Sequence, residues 1–511
     1  MAVAVAFSEI VAGLLPGAPS LVVSVGALVI DLQPPGAKDV IVSIFGTNDK
    51  LALNVAILIV AVGVGGLLGL VARARFATAA MAFVVFGLLS LYASLRLGID
   101  SPALSVATVG LAVIAALGSL RYLVDSARAS SGDSPSGSPA SVPGSPPAAR
   151  SMAGMPNWDR RRFLIRSGSL AIGSVVVGSV GRTLLQVSHS QEPPVAVLPG
   201  SSLSPAPLSQ AASLPVDGIT PIVMPNNRFY RIDTALVVPR VDVATWSVKV
   251  SGMVDREISL TYDQLRALPI FEQYVTIACV SNEVGGDLVG NALWRGVHLR
   301  EVLAMAGVRT GATQIVGRSV DGFTVGFPTE WAMDPGRDPM IAIGMNGEPL
   351  PVEHGFPARL IVPGLYGYVS ATKWLAEIEL TTLEAFDAYW IPLGWAKEGP
   401  ILTQSRIDVP RNGAAVATGP VAIAGVAWAP DRGVARVEVR VDGGPWLPAT
   451  LSAPISKATW VQWRLGWDAT PGDHTIEVRA TDGRGEVQTD QVSPPPPDGA
   501  RGHHTISIRA G

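Results

Sequence analysis

Thr276-Ile277-Ala278-Cys279-Val280-Ser281-Asn282-Glu283-Val284-Gly285-Gly286-Asp287 holds the one cysteine in 511 residues. A single cysteine has no intramolecular disulfide partner. Two readings remain open for it: a small buried hydrophobe, or a thiolate that binds a metal or attacks a substrate. The setting favours the second. An apolar strand, Tyr274–Ala278, stops at the cysteine and runs into Ser-Asn-Glu and a Gly-Gly pair. A chain built this way presents a side chain at a strand end to a bulky ligand.

Outward from this stretch the pattern is mixed. Toward the N-terminus lies an alternating strand, Trp246–Gly252, and a helical segment, Thr261–Leu268; a second helix is predicted over Leu299–Ala306. Strands interleaved with short helices make 216–398 a central α+β domain. From about Ile401 the pattern becomes all-β. Val421–Trp428, Val434–Val441, Trp460–Leu465, His474–Ala480 and His504–Ala510 alternate with period two, and Asp442-Gly443-Gly444 and Asp482-Gly483 punctuate them. That spacing predicts an Ig-like β-sandwich over 399–511.

The first third of the chain is different. Only 15% of all residues are charged, and Leu51–Ala72, Phe76–Leu95 and Ser101–Leu120 contain no charge at all. Each is close to the ~20 residues that cross a bilayer as a helix. Val11–Ile30 is a fourth candidate, weakened by Pro16, and Ser167–Gly181 a fifth. Arg73, Arg75, Arg121, Arg128, Arg150, Arg160, Arg161, Arg162 and Arg166 fall on one side of these spans, against Lys38, Lys50 and Arg96 on the other. The positive-inside rule makes the first side cytoplasmic and places everything after about Gln186 outside the cytoplasm. The expectation is a multi-pass protein of the cell membrane: transmembrane helices over 1–125, a Ser/Gly/Pro cytoplasmic linker over 126–158, and a signal or anchor helix over 159–186. A second Pro/Ser-rich linker over 187–215 follows. Arg160-Arg161-Arg162-Phe163-Leu164 reads either as a twin-arginine export signal or as an ordinary basic flank. A net charge of -3 argues against a nucleic-acid partner.

A second charged cluster lies in a Gly/Pro frame: His354-Gly355-Phe356-Pro357-Ala358-Arg359, then Thr372-Lys373-Trp374. An imidazole, a guanidinium and an ammonium so spaced can cradle a phosphate or a pterin edge. Taken in order, Tyr274–Gly286, Asn291–Val297, His354–Gly364 and Thr372–Leu375 resemble the sulfite oxidase family of molybdopterin enzymes. The resemblance runs from about Pro225 to the C-terminus, with the sandwich in the place of that family's dimerisation domain.

The resemblance implies a molybdenum–molybdopterin cofactor, with Cys279 as the metal's thiolate ligand; a soft sulfur donor suits such a metal. His354, Arg359 and Lys373 then fall on positions that hold the pterin and its phosphate. Phe229-Tyr230-Arg231 matches an entry segment, with Arg231 reaching cofactor or anionic substrate, and Asn282 lies in the cysteine loop. Trp294 matches a pocket tryptophan, although core packing explains it equally. Asp321 is a looser match to a pterin contact. The position of the catalytic tyrosine falls within Tyr389–Trp395, where either Tyr389, the candidate, or the non-equivalent Trp395 takes the spot. The implied reaction is oxygen-atom transfer on a small sulfur compound, sulfite oxidation first; the alternatives are S-oxide reduction and a non-enzymatic envelope binding protein. Two departures bear on substrate. Asn282-Glu283-Val284 stands where the family carries a sulfite-binding arginine, so Glu283 near the metal is expected to repel sulfite. Asp233 replaces a histidine. The first histidine of the chain is His189, so bis-histidine haem in the spans is not expected. Electrons would pass to an external cytochrome or quinone-linked partner, and the chain is expected to form a homodimer.

Overall fold

The computed structural model describes residues 1–15, 17–33, 49–97, 101–130, 158–190 and 198–511. The chain divides into two compact units, Met1–Gln191 with Ala235–Val237, and Glu192–Thr234 with Val238–Gly511.

The first unit is helical. Its described elements are Ala2–Leu14, Leu21–Leu32, Asp49–Ala74, Phe76–Leu97, Pro102–Ser130 and Trp158–Ser190. Among the described residues, four stretches are long and apolar enough to cross a membrane: Lys50–Ala74, Phe76–Arg96, Pro102–Ala127 and Leu164–Leu185. The expected span Val11–Ile30 is corrected. Two short helices stand there, separated around Gly17 at φ +81°. Ser20 caps the second by accepting from the Val23 amide at 3.2 Å, a local signal that starts a helix rather than continuing one. The helix from Pro102 runs to Ser130, past the expected linker start. Most of that linker, 131–157, and the side chains of the arginine run Arg160–Arg162 lie outside the described residues. Helix Ala2–Leu14 packs on Trp158–Ser190 where Gly181 lets the backbones meet; a Cβ there would fall 2.4 Å from the Ile10 nitrogen.

The second unit starts from strand pairing. Ser247–Gly252 (β1) and Ile258–Thr261 (β2) form an antiparallel pair, and the Tyr262–Arg266 helix that follows begins with a Thr261/Gln264 capping box. Leu375–Thr381 (β10) joins β1 in parallel, and Gln314–Ser319 (β5) and Thr324–Pro328 (β6) complete the order β2-β1-β10-β5-β6. A second sheet runs Ile270–Ala278 (β3), Val289–His298 (β4), Met340–Met345 (β7) and Glu348–Pro349 (β8), with Arg359–Ile361 (β9) also on β7. Both faces of β4 and β7 are largely buried, and β7 reads as an apolar run rather than an alternating strand. Residues 201–203, within the stretch expected as a linker, hydrogen-bond to β3: the Ser202 amide to Ile270 and the Glu272 amide to Leu203, both at 2.8 Å.

The C-terminal part packs two sheets face to face. One holds Gln404–Val409 (β11), Gly419–Trp428 (β13), Val461–Ala469 (β17) and Thr450–Leu451 (β16). The other holds Ala415–Val416 (β12), His504–Ala510 (β19), Gly472–Asp482 (β18), Val434–Val441 (β14) and Leu447–Pro448 (β15). Ile423, Val437, Val439, Trp463, Ile476 and Val478 face inward and are fully buried.

Candidate active site

β3 ends at Ala278, and Cys279 follows it, 8% exposed. The turn beyond closes on itself. The Cys279 amide donates to the Leu288 carbonyl at 2.9 Å, and Asn282 Oδ1 accepts from the Leu288 amide at 2.8 Å. Asn282 thus shapes the loop that presents the thiol. Glu283 is exposed. The expected repulsion of sulfite is therefore exerted through water, where it is screened.

The basic segment collects beside Phe229 and Tyr230. Phe229 stacks on Tyr230 at 5.2 Å and meets the rings of Trp294 and His354 edge-on at 5.8 and 5.6 Å. Trp294 has no exposed surface and donates Nε1–H to the Val275 carbonyl at 3.2 Å. The Arg359 guanidinium sits 5.1 Å over its ring, so Trp294 serves as the floor on which a buried cation rests. Gly355, at φ +111°, lets the chain turn between His354 and Arg359; a Cβ there would press on Lys373 at 3.0 Å. Trp374, buried beside Lys373, holds a φ of +49°, a strained backbone for a bulky residue.

These basic groups are unevenly compensated. Arg359 Nη1 donates to the His354 carbonyl at 3.1 Å, while its Nε has no partner. Burial lowers its guanidinium to about 10, with Tyr230 nearby acting in the opposite direction. His354 Nε2 meets the Asn226 carbonyl at 2.9 Å; its Nδ1 is buried without a partner, as is Thr372 Oγ1. Burial, opposed by that Asn226 bond and reinforced by Lys373, Arg359 and Arg231, pushes His354 down to about 4. Lys373 is pushed down to about 8 by burial, against the pull of Asp233. Its Nζ donates to Asp233 Oδ2 at 3.1 Å and to the Glu353 carbonyl at 3.0 Å.

Asp233 also accepts from Arg231 Nε at 2.9 Å, so one carboxylate bridges two of the expected ligand-binding cations. Asp321 lies near it: burial raises the Asp321 carboxyl, opposed by Ser319 and the Phe323 amide, and Asp233 raises it further. Around the thiol the structure brings two tyrosines. Burial, then the Cys279 charge, raises the Tyr230 phenol above its ordinary range. Tyr366 is pushed up to about 12, by burial first and Cys279 among the smaller causes.

Tyr366 was not among the expected residues. Its sequence signal is faint, a tyrosine between Gly364 and Gly367, and only the fold shows that Gly367 abuts the Ala278 carbonyl. Tyr389 packs on Phe323 at 5.6 Å and on Trp390 at 5.1 Å, and its amide donates to Thr324 Oγ1. Trp395 contacts Tyr368 at 5.9 Å.

The arrangement fits a large anionic group carrying its own hydrogen-bonding edges. Three buried polar atoms, His354 Nδ1, Arg359 Nε and Thr372 Oγ1, lack partners in the segment that also buries three basic side chains. Clustered in one segment, such atoms leave hydrogen-bonding capacity that a ligand can fill. Among the described residues no three His, Cys, Asp or Glu side chains gather into a metal-binding group. A metal at Cys279 would therefore draw its remaining donors from a cofactor.

Comparison with known proteins agrees with that chemistry. Residues 235–390 match the family model described as oxidoreductase molybdopterin binding domain, and residues 404–478 that described as bacterial Ig domain. Mitochondrial sulfite oxidase of Homo sapiens is 31% identical over 320 residues, covering 53% of this chain and 58% of that protein. The NADH nitrate reductase 1 of Oryza sativa subsp. japonica is 30% identical over 319 residues, covering 50% of this chain and 35% of that protein. The chain thus spans less than two thirds of the length of these relatives. Among solved structures, the sulfane dehydrogenase SoxCD of Paracoccus pantotrophus aligns with a TM-score of 0.48 at 23% identity, over 59% of this chain and 82% of that one.

Proposed function

We propose, from the premise that this chain is a molybdopterin-dependent oxidoreductase of the sulfite oxidase family, that it transfers an oxygen atom to a small sulfur compound. Sulfite oxidation is the first reading: sulfite and water give sulfate, two protons and two electrons. The observation that carries it is the buried cradle of His354, Arg359 and Lys373, with unfilled hydrogen-bonding atoms, in one fold with the buried thiol of Cys279.

Cys279 would bind the metal. His354, Arg359, Thr372 and Lys373 would hold the pterin and its phosphate, Asp321 a pterin edge, and Phe229 and Tyr230 would wall the pocket. The cofactor supplies the two-electron redox chemistry. The chain's own part is to exclude water with Phe229, Trp294 and Tyr366, to fix the cofactor's charge with Arg359 and Lys373, and to orient substrate. Arg231, more exposed than the Asp233 it pairs with, is the candidate for an anionic substrate, and Tyr389 for a catalytic tyrosine. Electrons leave to an external carrier, a cytochrome or a quinone-linked protein. The four long apolar helices support a membrane-held enzyme, and the positive-inside pattern supports an extracytoplasmic site. The sandwich supports a homodimer by analogy with the family.

A second reading is favoured by Asp233. By bridging Arg231 and Lys373 it removes positive charge that a sulfite dianion would seek, and a neutral S-oxide needs no such charge. That reaction consumes two protons and two electrons and releases water and the thioether.

The test is molybdenum per chain, measured by elemental mass spectrometry on membrane-extracted protein from a host that makes the cofactor. Sulfite turnover with a one-electron acceptor and methionine sulfoxide reduction are assayed alongside. Near one molybdenum per chain is expected, and Cys279→Ser should lose at least about 100-fold in turnover while staying folded. Folded wild-type protein without molybdenum would sink the enzyme reading and leave Cys279 a core residue.

A further inference from the structure

The loop after Cys279 closes through its own hydrogen bonds, and the sandwich holds its glycine pair from outside. Within the loop, the Gly286 amide donates to the Glu283 carbonyl at 2.9 Å, and Asn282 and Leu288 close its ends. Its middle is held from outside. Arg406, on β11, donates Nη1 to the Gly286 carbonyl at 2.7 Å. The same guanidinium is fixed on its other edges, by Asp408 Oδ1 at 2.7 Å and by Thr220 Oγ1 at 2.8 Å. Thr220 in turn donates its amide to Asp408 Oδ2 at 3.0 Å, so the arginine sits in a closed three-residue frame.

His504, the first residue of β19, meets the neighbouring position. Its ring lies where a Cβ on Gly285 would be, 2.2 Å from Cδ2, and Gly285 holds a φ of +78°. The His504 Nδ1 accepts from the Ile407 amide at 3.0 Å, which locks the ring against the loop. The strand leading into Cys279 is pinned as well. The Thr276 amide donates to the Ala458 carbonyl at 2.9 Å, and Thr276 Oγ1 accepts from the Trp460 amide at 2.8 Å.

We propose that Arg406 and His504 are positioning residues for Cys279, so that the C-terminal sandwich sets the geometry and accessibility of the thiol. The physical reason is that a glycine pair inside a turn has no side chains with which to hold itself. A fixed guanidinium on Gly286 and a ring against Gly285 replace that missing packing, and a site loosened by an ångström loses its function. The functional consequence rests on Cys279 being the metal's ligand; the mechanical claim does not.

The test separates the two. In the full-length chain, purified in detergent from a host unable to make the cofactor, the rate of Cys279 alkylation by iodoacetamide reads loop opening directly. Arg406→Gln and His504→Ala should each raise that rate about tenfold, and Arg406→Lys, which keeps one donor for the Gly286 carbonyl, should restore part of the protection. Arg432→Gln breaks the buried Arg432–Asp482 pair elsewhere in the sandwich. It should lower the melting temperature while leaving alkylation within about twofold of wild type. In cofactor-loaded protein the Arg406 variant should also shed molybdenum faster on gel filtration.

Equal alkylation in the Arg406 and Arg432 variants, or no rise in the Arg406 and His504 variants, overturns the proposal. Should Arg406→Gln not fold, Asp408→Asn and His504→Ala decide in its place, a rise supporting the proposal and its absence overturning it. An alkylation result as expected in a chain that binds no molybdenum upholds the positioning claim and refutes the ligand role.

Discussion

Arg432 in the sandwich and Arg359 in the central domain are two largely buried guanidiniums treated in opposite ways. In the sandwich, Arg432 meets Asp482 at 2.7 Å, Arg479 meets Glu438 at 2.9 Å and Arg440 meets Glu477 at 2.6 Å. Each charge has its counter-charge, and removing one partner would strand the other. In the central domain Arg359, 3% exposed, makes no ion pair among the described residues, and its Nε has no partner. A folded chain rarely tolerates that arrangement for structure alone. The difference separates residues that hold the fold from residues that wait for something to hold.

A large loss of stability against almost none would sharpen this contrast most. Arg432→Met leaves the fully buried Asp482 carboxylate without its guanidinium and should cost about 3–5 kcal/mol, read as a shift in the denaturant midpoint. Arg359→Met, in the cofactor-free chain, removes an uncompensated charge and should change stability by less than about 1 kcal/mol. Retention of the cofactor in the loaded Arg359 variant should nonetheless fall by about tenfold or more. Equal destabilisation by the two substitutions would erase the distinction.

The sequence carried the central domain well, for a physical reason. The strand that ends at Cys279 and the Gly/Pro frame around His354 and Arg359 are local patterns, and their chemistry is written in adjacent residues. The sandwich was equally legible, because period-two alternation between turns survives in each strand on its own. What it could not give was the company those residues keep. Nothing near Asp233 in sequence announces that it would accept from both Arg231 and Lys373, which lies 140 positions away. Tyr366 comes near the end of β3 only because Gly367, next to it, abuts the Ala278 carbonyl. The expected span Val11–Ile30 failed for a different reason: hydrophobicity sums over a window, whereas helix continuity depends on single residues such as Ser20. Nearness in sequence to Cys279 also does not show that Glu283 is exposed, a fact only the fold supplies.

Acid should break the central domain before the sandwich. His354 titrates near 4 in the folded chain and 6.5 in its absence of structure, so between these values the unfolded chain takes up the proton first. Stability contributed by the neutral imidazole is then complete above pH 6.5 and is lost as pH falls toward 4, by up to about 3 kcal/mol in the cofactor-free protein. His354→Gln should flatten that slope. His474 in the sandwich behaves oppositely: hydrogen bonds to Asp442 and the Thr470 carbonyl raise it, so its contribution is present at low pH and lost as pH rises. Unfolding followed across this window, with and without His354, distinguishes the two.

Glu283 offers the smallest effect. It lies four residues from Cys279 but is exposed, while the thiol is 8% exposed. A charge in water acts on a buried site through a high dielectric and a Debye length of about 8 Å at physiological salt. Glu283→Arg should therefore lower the KM for sulfite by less than about threefold, and added salt should remove most of the change. The bridging Asp233, 5% exposed between two cations, is the carboxylate whose removal should matter more, because neither water nor salt reaches it. If Glu283→Arg instead improves sulfite binding tenfold and salt leaves that gain intact, the loop must turn its charge inward when substrate binds. The exposed and buried carboxylates would then have exchanged their expected roles.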